Sequence, residues 1–121
     1  MKKLFILLVN TDPDHADEVA APFYMAAAAA ALGADVEVAF AGRSARLALA
    51  DVATRIVTHE AGGRTLHDFI RMAAEQGARF VVCSQARQSL EGALIDEIGE
   101  TVGAAWMMAR ALDDDTVTLS F

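Results

Sequence analysis

Blocks of apolar residues along the chain predict strands that are separated by helices. Residues 3–9, KLFILLV, are a continuous apolar run rich in branched side chains, which is typical of a strand buried on both faces of a parallel sheet. Residues 35–41, DVEVAFA, alternate and then become apolar, and residues 79–83, RFVVC, form a short apolar run. We predict a strand for each. Residues 116–121, TVTLSF, alternate, which predicts a last strand at a sheet edge or at an oligomer interface.

The first predicted helix follows the first strand. Asp12-Pro13 has the composition of a helix start, because aspartate caps helices and proline is tolerated in their first turn. Apolar residues then recur at helical spacing as far as Gly33, which we expect to end the helix. Pro22 lies inside this pattern, and we predict that it kinks or divides the helix.

Two later helices are predicted from capping residues. Thr65 and Asp68 have the spacing of a capping box, and the apolar stripe that follows them ends at Gly77. Thr101 is predicted to cap a helix that continues to Leu112.

The remaining segments carry weaker patterns. Residues 45–49 predict a short helix, and residues 55–59 predict a third strand before the Gly62-Gly63 turn. A loop with a short helical segment is expected between residue 83 and Ile95.

Strands that alternate with helices imply right-handed crossovers and a mainly parallel, doubly wound α/β sheet. In such sheets, functional groups gather beyond the carboxyl ends of the strands. Cys83 is the candidate reactive residue at that edge. The candidate binding residues at or near the same edge are Asn10, Thr11, Arg43, Ser84 and Arg87.

Composition narrows the class of protein. A chain of 121 residues has the length of a single domain. The formal net charge of −7, with basic residues scattered along the chain, argues against nucleic acid and anionic membranes as partners. Neither long apolar stretch has the length and composition of a membrane span. The single cysteine indicates a reducing compartment or a buried thiol, and we expect a cytoplasmic protein.

Several familiar chemistries do not fit the sequence. No CxxC pair is present, and the turn after the first strand lacks the glycines of a nucleotide-binding loop. His15 lies among aspartates, but a polar first helical turn explains this pattern better than a metal site. We therefore predict neither a cofactor nor a metal.

Four segments, which together cover most of the chain, resemble the DsrE/DsrF family of small α/β proteins from sulfur-relay systems and their relatives. They are the opening strand with Thr11–Asp14, then Ala20–Leu47, Thr65–Ser84 and Val102–Phe121. The resemblance implies a three-layer α/β/α, flavodoxin-like single domain over residues 1–121, with a sheet of about five strands. It also implies homo- or hetero-oligomers, often trimers or hexamers, and a cysteine that can carry persulfide sulfur; we expect a homo-oligomer here.

Cys83 is the position that matches the family's cysteine. The first hypothesis is therefore a sulfur carrier or sulfurtransferase-like protein, in which Cys83 accepts sulfur from a donor and passes it to a partner thiol. The alternative is a non-catalytic oligomeric binding module in which Cys83 is structural, since free cysteine is among the most buried residue types. A thiol redox sensor is a third reading, and it needs a resolving thiol from another chain.

Overall fold

The computed structural model describes residues 2–58 and 62–121, and its core is one five-stranded sheet with the order β4-β3-β2-β1-β5. The strands are β1 (Lys3–Leu8), β2 (Asp35–Phe40), β3 (Arg79–Cys83), β4 (Ile98–Val102) and β5 (Thr116–Ser120). The α-helices are α1 (Ala21–Ala31), α2 (Ala50–Ala53), α3 (Leu66–Glu75), α4 (Ser84–Gln88) and α5 (Ala104–Ala111), and a 3-10 helix spans Gly42–Ala48.

Every pair of neighbouring strands in this sheet is parallel, so all the carboxyl ends lie at one edge. Helices pack on both faces of the sheet. The prediction of an α/β fold with a mainly parallel sheet of about five strands is confirmed. None of the helices in residues 2–58 and 62–121 is long and apolar enough to cross a membrane.

The two faces of the sheet are covered differently. The two-helix face, packed by α1 and α3, contains Ile6, Val38 and Phe80 among its buried strand residues. Phe23 of α1 stacks on Phe40 of β2 at a ring-centroid distance of 5.9 Å. Burying such aromatic and aliphatic side chains is the main stabilising contribution to the fold.

The one-helix face is covered by α5. Met107 of this helix is buried, and Trp106 meets Phe5 of β1 edge-on at 6.1 Å. Alternate strand residues point to this face, among them Val81 and Cys83. The reactive candidate therefore lies on the face with the thinner cover.

The first helix begins later than its sequence pattern predicts. Asp12 caps a turn, since its Oδ1 accepts a hydrogen bond from the backbone N–H of Asp14 at 2.9 Å, and turns continue until α1 starts at Ala21. Pro22 lies in the first turn of α1, where a missing N–H costs nothing. The predictions that Asp12 caps the helix and that Pro22 kinks it are wrong.

The start of α3 follows the predicted capping box. The backbone N–H of Thr65 donates to Asp68 Oδ2 at 2.9 Å, and the N–H of Asp68 donates to Thr65 Oγ1 at 3.2 Å. The hydrogen bond from the Thr65 backbone is the largest cause that lowers the pKa of the Asp68 carboxyl.

Two segments differ from prediction around the last third of the sheet. Thr101 lies in β4, and helix α5 begins at Ala104 after Gly103, so the prediction that Thr101 caps a helix is wrong. The middle residues of β4, from Gly99 to Thr101, are exposed, so no apolar alternation marks the strand. Its pairing with β3 makes it a strand.

The predicted third strand, residues 55–59, is also wrong in its described part. The structure has only an isolated bridge between Val57 and Thr65 there. His59 lies outside the described residues. The predicted short helix at 45–49 corresponds to the end of the 3-10 helix, and α2 follows at Ala50.

Candidate functional site

Cys83 is the last residue of β3, and α4 begins at the next residue, Ser84. Its backbone is extended, with φ −65° and ψ 127°, and the thiol makes no capping hydrogen bond to the helix. The residue is half-buried. Because α4 spans five residues, few peptide dipoles add along its axis.

A shallow pocket of about 330 Å³ opens beside the thiol. Its lining consists of Gly42, Cys83, Gln85, Ala86 and Ser89, all uncharged. Gln85 and Ser89 are four residues apart, so they project from one side of the α4 turn. Neither residue was predicted as a site residue. Their four-residue spacing, directly after a cysteine that ends a strand, is the sequence signal that could have identified them.

Gly42 allows the 3-10 helix to approach β1 closely at the rim of this pocket. Its φ of +52° lies in the left-handed region, and a Cβ at this position would be 2.9 Å from the carbonyl oxygen of Val9. Only glycine fits both the conformation and the space. The residue therefore fixes one wall of the Cys83 pocket.

The other side of Cys83 is apolar. The residue packs against the cluster on the one-helix face that includes Val81 and Val102, and it is the register partner of Val102 across β3 and β4. The thiol thus lies at the boundary between an apolar layer and an open pocket of uncharged residues. At this position the thiol is partly accessible, and packing on its apolar side restricts its orientation.

The predicted residues Asn10, Thr11 and Arg43 are brought together by the end of β1 and the start of the 3-10 helix. Arg43 Nε donates to the carbonyl oxygen of Asn10 at 3.1 Å, and its Nη1 lies 3.5 Å from Asp12 Oδ2. The carbonyl oxygen of Thr11 accepts a hydrogen bond from the buried hydroxyl of Ser44 at 3.1 Å. The group neighbours the Cys83 pocket through Gly42, but none of its members lines that pocket.

The side chain of Arg87 turns toward the loop after α4. Its Nη1 donates to the carbonyl oxygen of Leu90 at 3.0 Å, and its Nη2 donates to that of Gly92 at 2.9 Å. The guanidinium therefore holds the loop behind the pocket. Ser84, the remaining predicted binding residue, is half-buried at the first position of α4.

A hydrogen bond also holds Asp12 in its turn. The backbone N–H of Asp14 is the largest cause that lowers the pKa of the Asp12 carboxyl, and the charges of His15 and Arg43 act in the same direction. His15 Nδ1 lies 3.7 Å from a carboxylate oxygen of Glu18. Among the described residues, no group of three or more His, Cys, Asp or Glu side chains is placed to hold a metal ion.

Two other clefts, of about 350 and 530 Å³, lie at the amino ends of the strands and share Glu37, Arg79 and Arg110. Arg79 Nη2 contacts Asp35 Oδ1 at 2.6 Å, and Arg110 Nε donates to Glu37 Oε1 at 3.1 Å. The Arg110 guanidinium also lies 3.7 Å from the ring centroid of Trp106. Both clefts are larger than the Cys83 pocket. Arg79 and Arg110 are paired with the acidic residues beside them, so neither guanidinium is an unpaired cation.

A sequence model of the DsrE/DsrF-like family matches residues 2–114. Among solved structures, the crystal structure of the YchN protein from E. coli is similar, with a TM-score of 0.74 and 16% sequence identity over 100% of both chains. At this identity the likeness concerns the fold. No curated protein matches the sequence.

Proposed function

Because the chain belongs to the DsrE/DsrF-like family, we propose that it is a sulfur carrier, or a protein of sulfurtransferase type, that forms a persulfide on Cys83. The observation that carries the proposal is the half-buried Cys83 at the carboxyl end of β3, beside an open pocket. The carboxyl edge is where parallel α/β sheets place reacting groups. The chain's single cysteine is sufficient for the chemistry.

Sulfur transfer through one thiol proceeds in two displacements. The Cys83 thiolate attacks the terminal sulfur of a donor persulfide, R–S–SH, forming Cys83–S–SH and releasing the donor thiolate R–S⁻. An acceptor thiolate then attacks that same terminal sulfur, and the Cys83 thiolate leaves. No net oxidation occurs, and the thiolate is the nucleophile in both steps.

The residues that line the pocket are suited to hold the outer sulfur atom of a persulfide on Cys83. Gln85 supplies an amide, which is able to donate hydrogen bonds to a terminal persulfide sulfur. The hydroxyl of Ser89 donates to the Ala86 carbonyl oxygen at 2.9 Å, so Ser89 forms part of the wall. The main-chain start of α4 at Ser84 forms the base of the same turn. Asn10 and Arg43 form a polar rim on the adjoining turn, where a partner would make contact, and the buried Thr11 supports that turn.

Arg87 supports the site without touching it. By tying two carbonyl oxygens of the following loop, it fixes α4 and with it the positions of Gln85 and Ser89. We assign to it a positioning role. The donor and acceptor are thiols of other molecules, and the openness of the pocket to solvent suits delivery by a partner protein to a homo-oligomer of this chain, such as a trimer or hexamer.

A second candidate function is a binding module in which Cys83 is structural. The observation that favours it is the packing of Cys83 against the apolar cluster of the one-helix face. In this case the thiol acts as a small hydrophobe, and the protein needs no reaction at the pocket.

The test is intact mass spectrometry of the native protein after incubation with polysulfide or a small-molecule persulfide. We expect a gain of one or more sulfur atoms that a reductant reverses. Because the chain has one cysteine, Cys83→Ser removes the only thiol and must abolish the gain. Circular dichroism shows whether that variant retains its fold.

Alkylation of the native thiol separates the two candidates. A carrier requires that iodoacetamide modify Cys83 in the folded protein and that this modification block sulfur loading. A folded protein that neither gains sulfur nor reacts with iodoacetamide would contradict the carrier and favour the binding module.

A further inference from the structure

A fourth cleft in the described structure, the Arg46 cleft, has a lining of net positive charge. It measures about 200 Å³ and lies between the turn after β1, the 3-10 helix and the segment that begins with α2. Its lining residues are Pro13, Asp14, Arg46, Val52, Arg55 and Ile56. Two arginines and one aspartate give the lining a charge of +1, although the whole chain has a formal net charge of −7. A concave surface with such a local excess attracts anions.

The three clefts described above lack this excess of positive charge. The lining of the Cys83 pocket is uncharged. In the two clefts at the amino ends of the strands, acidic residues equal or outnumber basic ones. Arg79 and Arg110 are also paired with their acidic neighbours there. Of these four clefts, the Arg46 cleft is the one whose charge suits an anion.

Arg46 has a fixed backbone and an unpaired guanidinium. It is exposed between Ala45 and Leu47 of the 3-10 helix, both of which are fully buried. Among the described residues, its guanidinium makes no hydrogen bond or ion pair. The carboxylate of Asp12 feels the charge of Arg46, but it is paired with Arg43 at 3.5 Å. The five N–H donors of the Arg46 side chain are therefore available to a ligand.

Asp51 orients the second arginine of the cleft. Arg55 Nη2 lies 3.4 Å from Asp51 Oδ2, and Arg55 Nε donates to the carbonyl oxygen of Asp51. In the part of the chain that the structure describes, Nη1 of Arg55 has no such partner. The two side chains are 71% and 80% exposed, so their pairing adds little stability. Its consequence is that one edge of a planar guanidinium is held while the other edge remains free to bind a carboxylate or phosphate group.

The rest of the lining is mostly apolar. Pro13 is buried, and Val52 and Ile56 are half-buried, so they form an apolar wall beside the two guanidinium groups. An apolar wall reduces the screening of charges by water. Pockets for drug-sized ligands measure roughly 300–1,000 Å³. The smaller Arg46 cleft therefore fits a ligand with few heavy atoms, one end anionic and the other apolar.

We propose that the Arg46 cleft binds a small organic anion, namely a carboxylate or a phosphate monoester with a short apolar chain. The anionic group lies between the guanidinium groups of Arg46 and Arg55, and the apolar chain contacts Val52 and Ile56. Asp14 is a carboxylate in the same lining, so it opposes the ligand's charge. The cleft shares no lining residue with the Cys83 pocket, so this inference does not depend on sulfur chemistry.

The test is an NMR titration of the isotope-labelled protein with pentanoate and with n-butyl phosphate at constant ionic strength. Pentanamide, which has the chain of pentanoate without its charge, is the control ligand. We expect the backbone amide signals of Arg46, Val52 and Arg55 to shift with one or both acids, to saturate in the millimolar range, and to stay unchanged with pentanamide. The comparison of the two acids shows whether the cleft prefers a carboxylate or a phosphate.

Arg46→Gln and Arg71→Gln are a matched pair of variants. Each makes the chain more negative by one charge, but Arg71 is exposed on α3 and lines none of the four clefts. We expect Arg46→Gln to weaken binding roughly tenfold or more and Arg71→Gln to change it less than about twofold. Asp14→Asn removes the opposing charge and should strengthen binding by about twofold or more.

The three substituted side chains are exposed, so each variant should keep the fold, and its spectrum without ligand checks this. Signals that move with neither acid, or that move equally with pentanamide, would overturn the proposal. Equal affinities of Arg46→Gln and Arg71→Gln would do the same. Weaker binding by Asp14→Asn would also overturn it, because the carboxylate would then attract the ligand.

Discussion

The two faces of the sheet differ in how much of their surface is committed to stability. The two-helix face is closed by α1 and α3 over an aromatic layer in which Phe23, Phe40 and Phe80 contact one another. The one-helix face has α5 as its cover, and its layer is thinner, with Phe5 and Met107 as its large buried members.

This difference indicates which face of the sheet is less constrained by packing and can therefore hold functional residues. Substitution within a closed aromatic layer leaves a cavity, so its residues are fixed by packing. On the one-helix face the layer thins toward the carboxyl end of β3, where Cys83 remains half-buried beside a pocket. The two-helix face supplies most of the large buried side chains, and the one-helix face carries the candidate site.

The largest expected effect comes from opening the two-helix face. Phe40 is fully buried between two other phenylalanine rings, so Phe40→Ala should lower the free energy of unfolding by about 3–5 kcal/mol. Met107→Ala, beneath the single helix of the other face, should cost about 2 kcal/mol. Urea denaturation of both variants measures the difference, and equal losses would show that the two faces contribute alike.

A smaller effect is expected where the 3-10 helix meets the rim of the Cys83 pocket. Gly42→Ala forces a side chain into the left-handed region and against the Val9 carbonyl, and we expect a loss of about 2 kcal/mol or more. The displaced wall should also change the rate at which iodoacetamide modifies Cys83.

Gly33→Ala is the matched control for Gly42→Ala. Gly33 has a φ of +96°, but an added Cβ meets no atom within 4 Å there. This variant should show backbone strain of about 1 kcal/mol and an unchanged alkylation rate. An altered rate in both variants, or in neither, would mean that contact between Gly42 and Val9 does not shape the pocket.

The sequence predicted the elements whose residues follow their own periodicity. The runs that became β1 and β3 were found because parallel strands covered on both faces are largely apolar, and β2 was found because its residues alternate and then become apolar. The capping box of Thr65 and Asp68 is local chemistry and was found for that reason. The resemblance to the DsrE/DsrF family is likewise confirmed by the match over residues 2–114.

The missed elements depend on partners distant in sequence. Strand β4 is exposed along its middle and exists through its pairing with β3, so Thr101 was misread as a helix cap. At the site, the strand-end rule placed Cys83 at the carboxyl edge. That rule could not predict the side-chain directions of Arg43 and Arg87, because each guanidinium is bound to backbone carbonyls whose positions depend on the fold.

The smallest expected effect concerns Cys83 itself. It tests whether the thiol on the one-helix face contributes to packing or is present for its chemistry. Val81 is a buried residue on the same strand and the same face, two positions earlier, whereas Cys83 is half-buried. Val81→Ala should therefore cost about 2 kcal/mol, and Cys83→Ala less than about 1 kcal/mol, in urea denaturation. A thiol kept at a position where alanine is nearly as stable is kept for its chemistry. A loss for Cys83→Ala as large as that for Val81→Ala would instead make the thiol part of the packing, and this end of the one-helix face would then serve stability, as the two-helix face does.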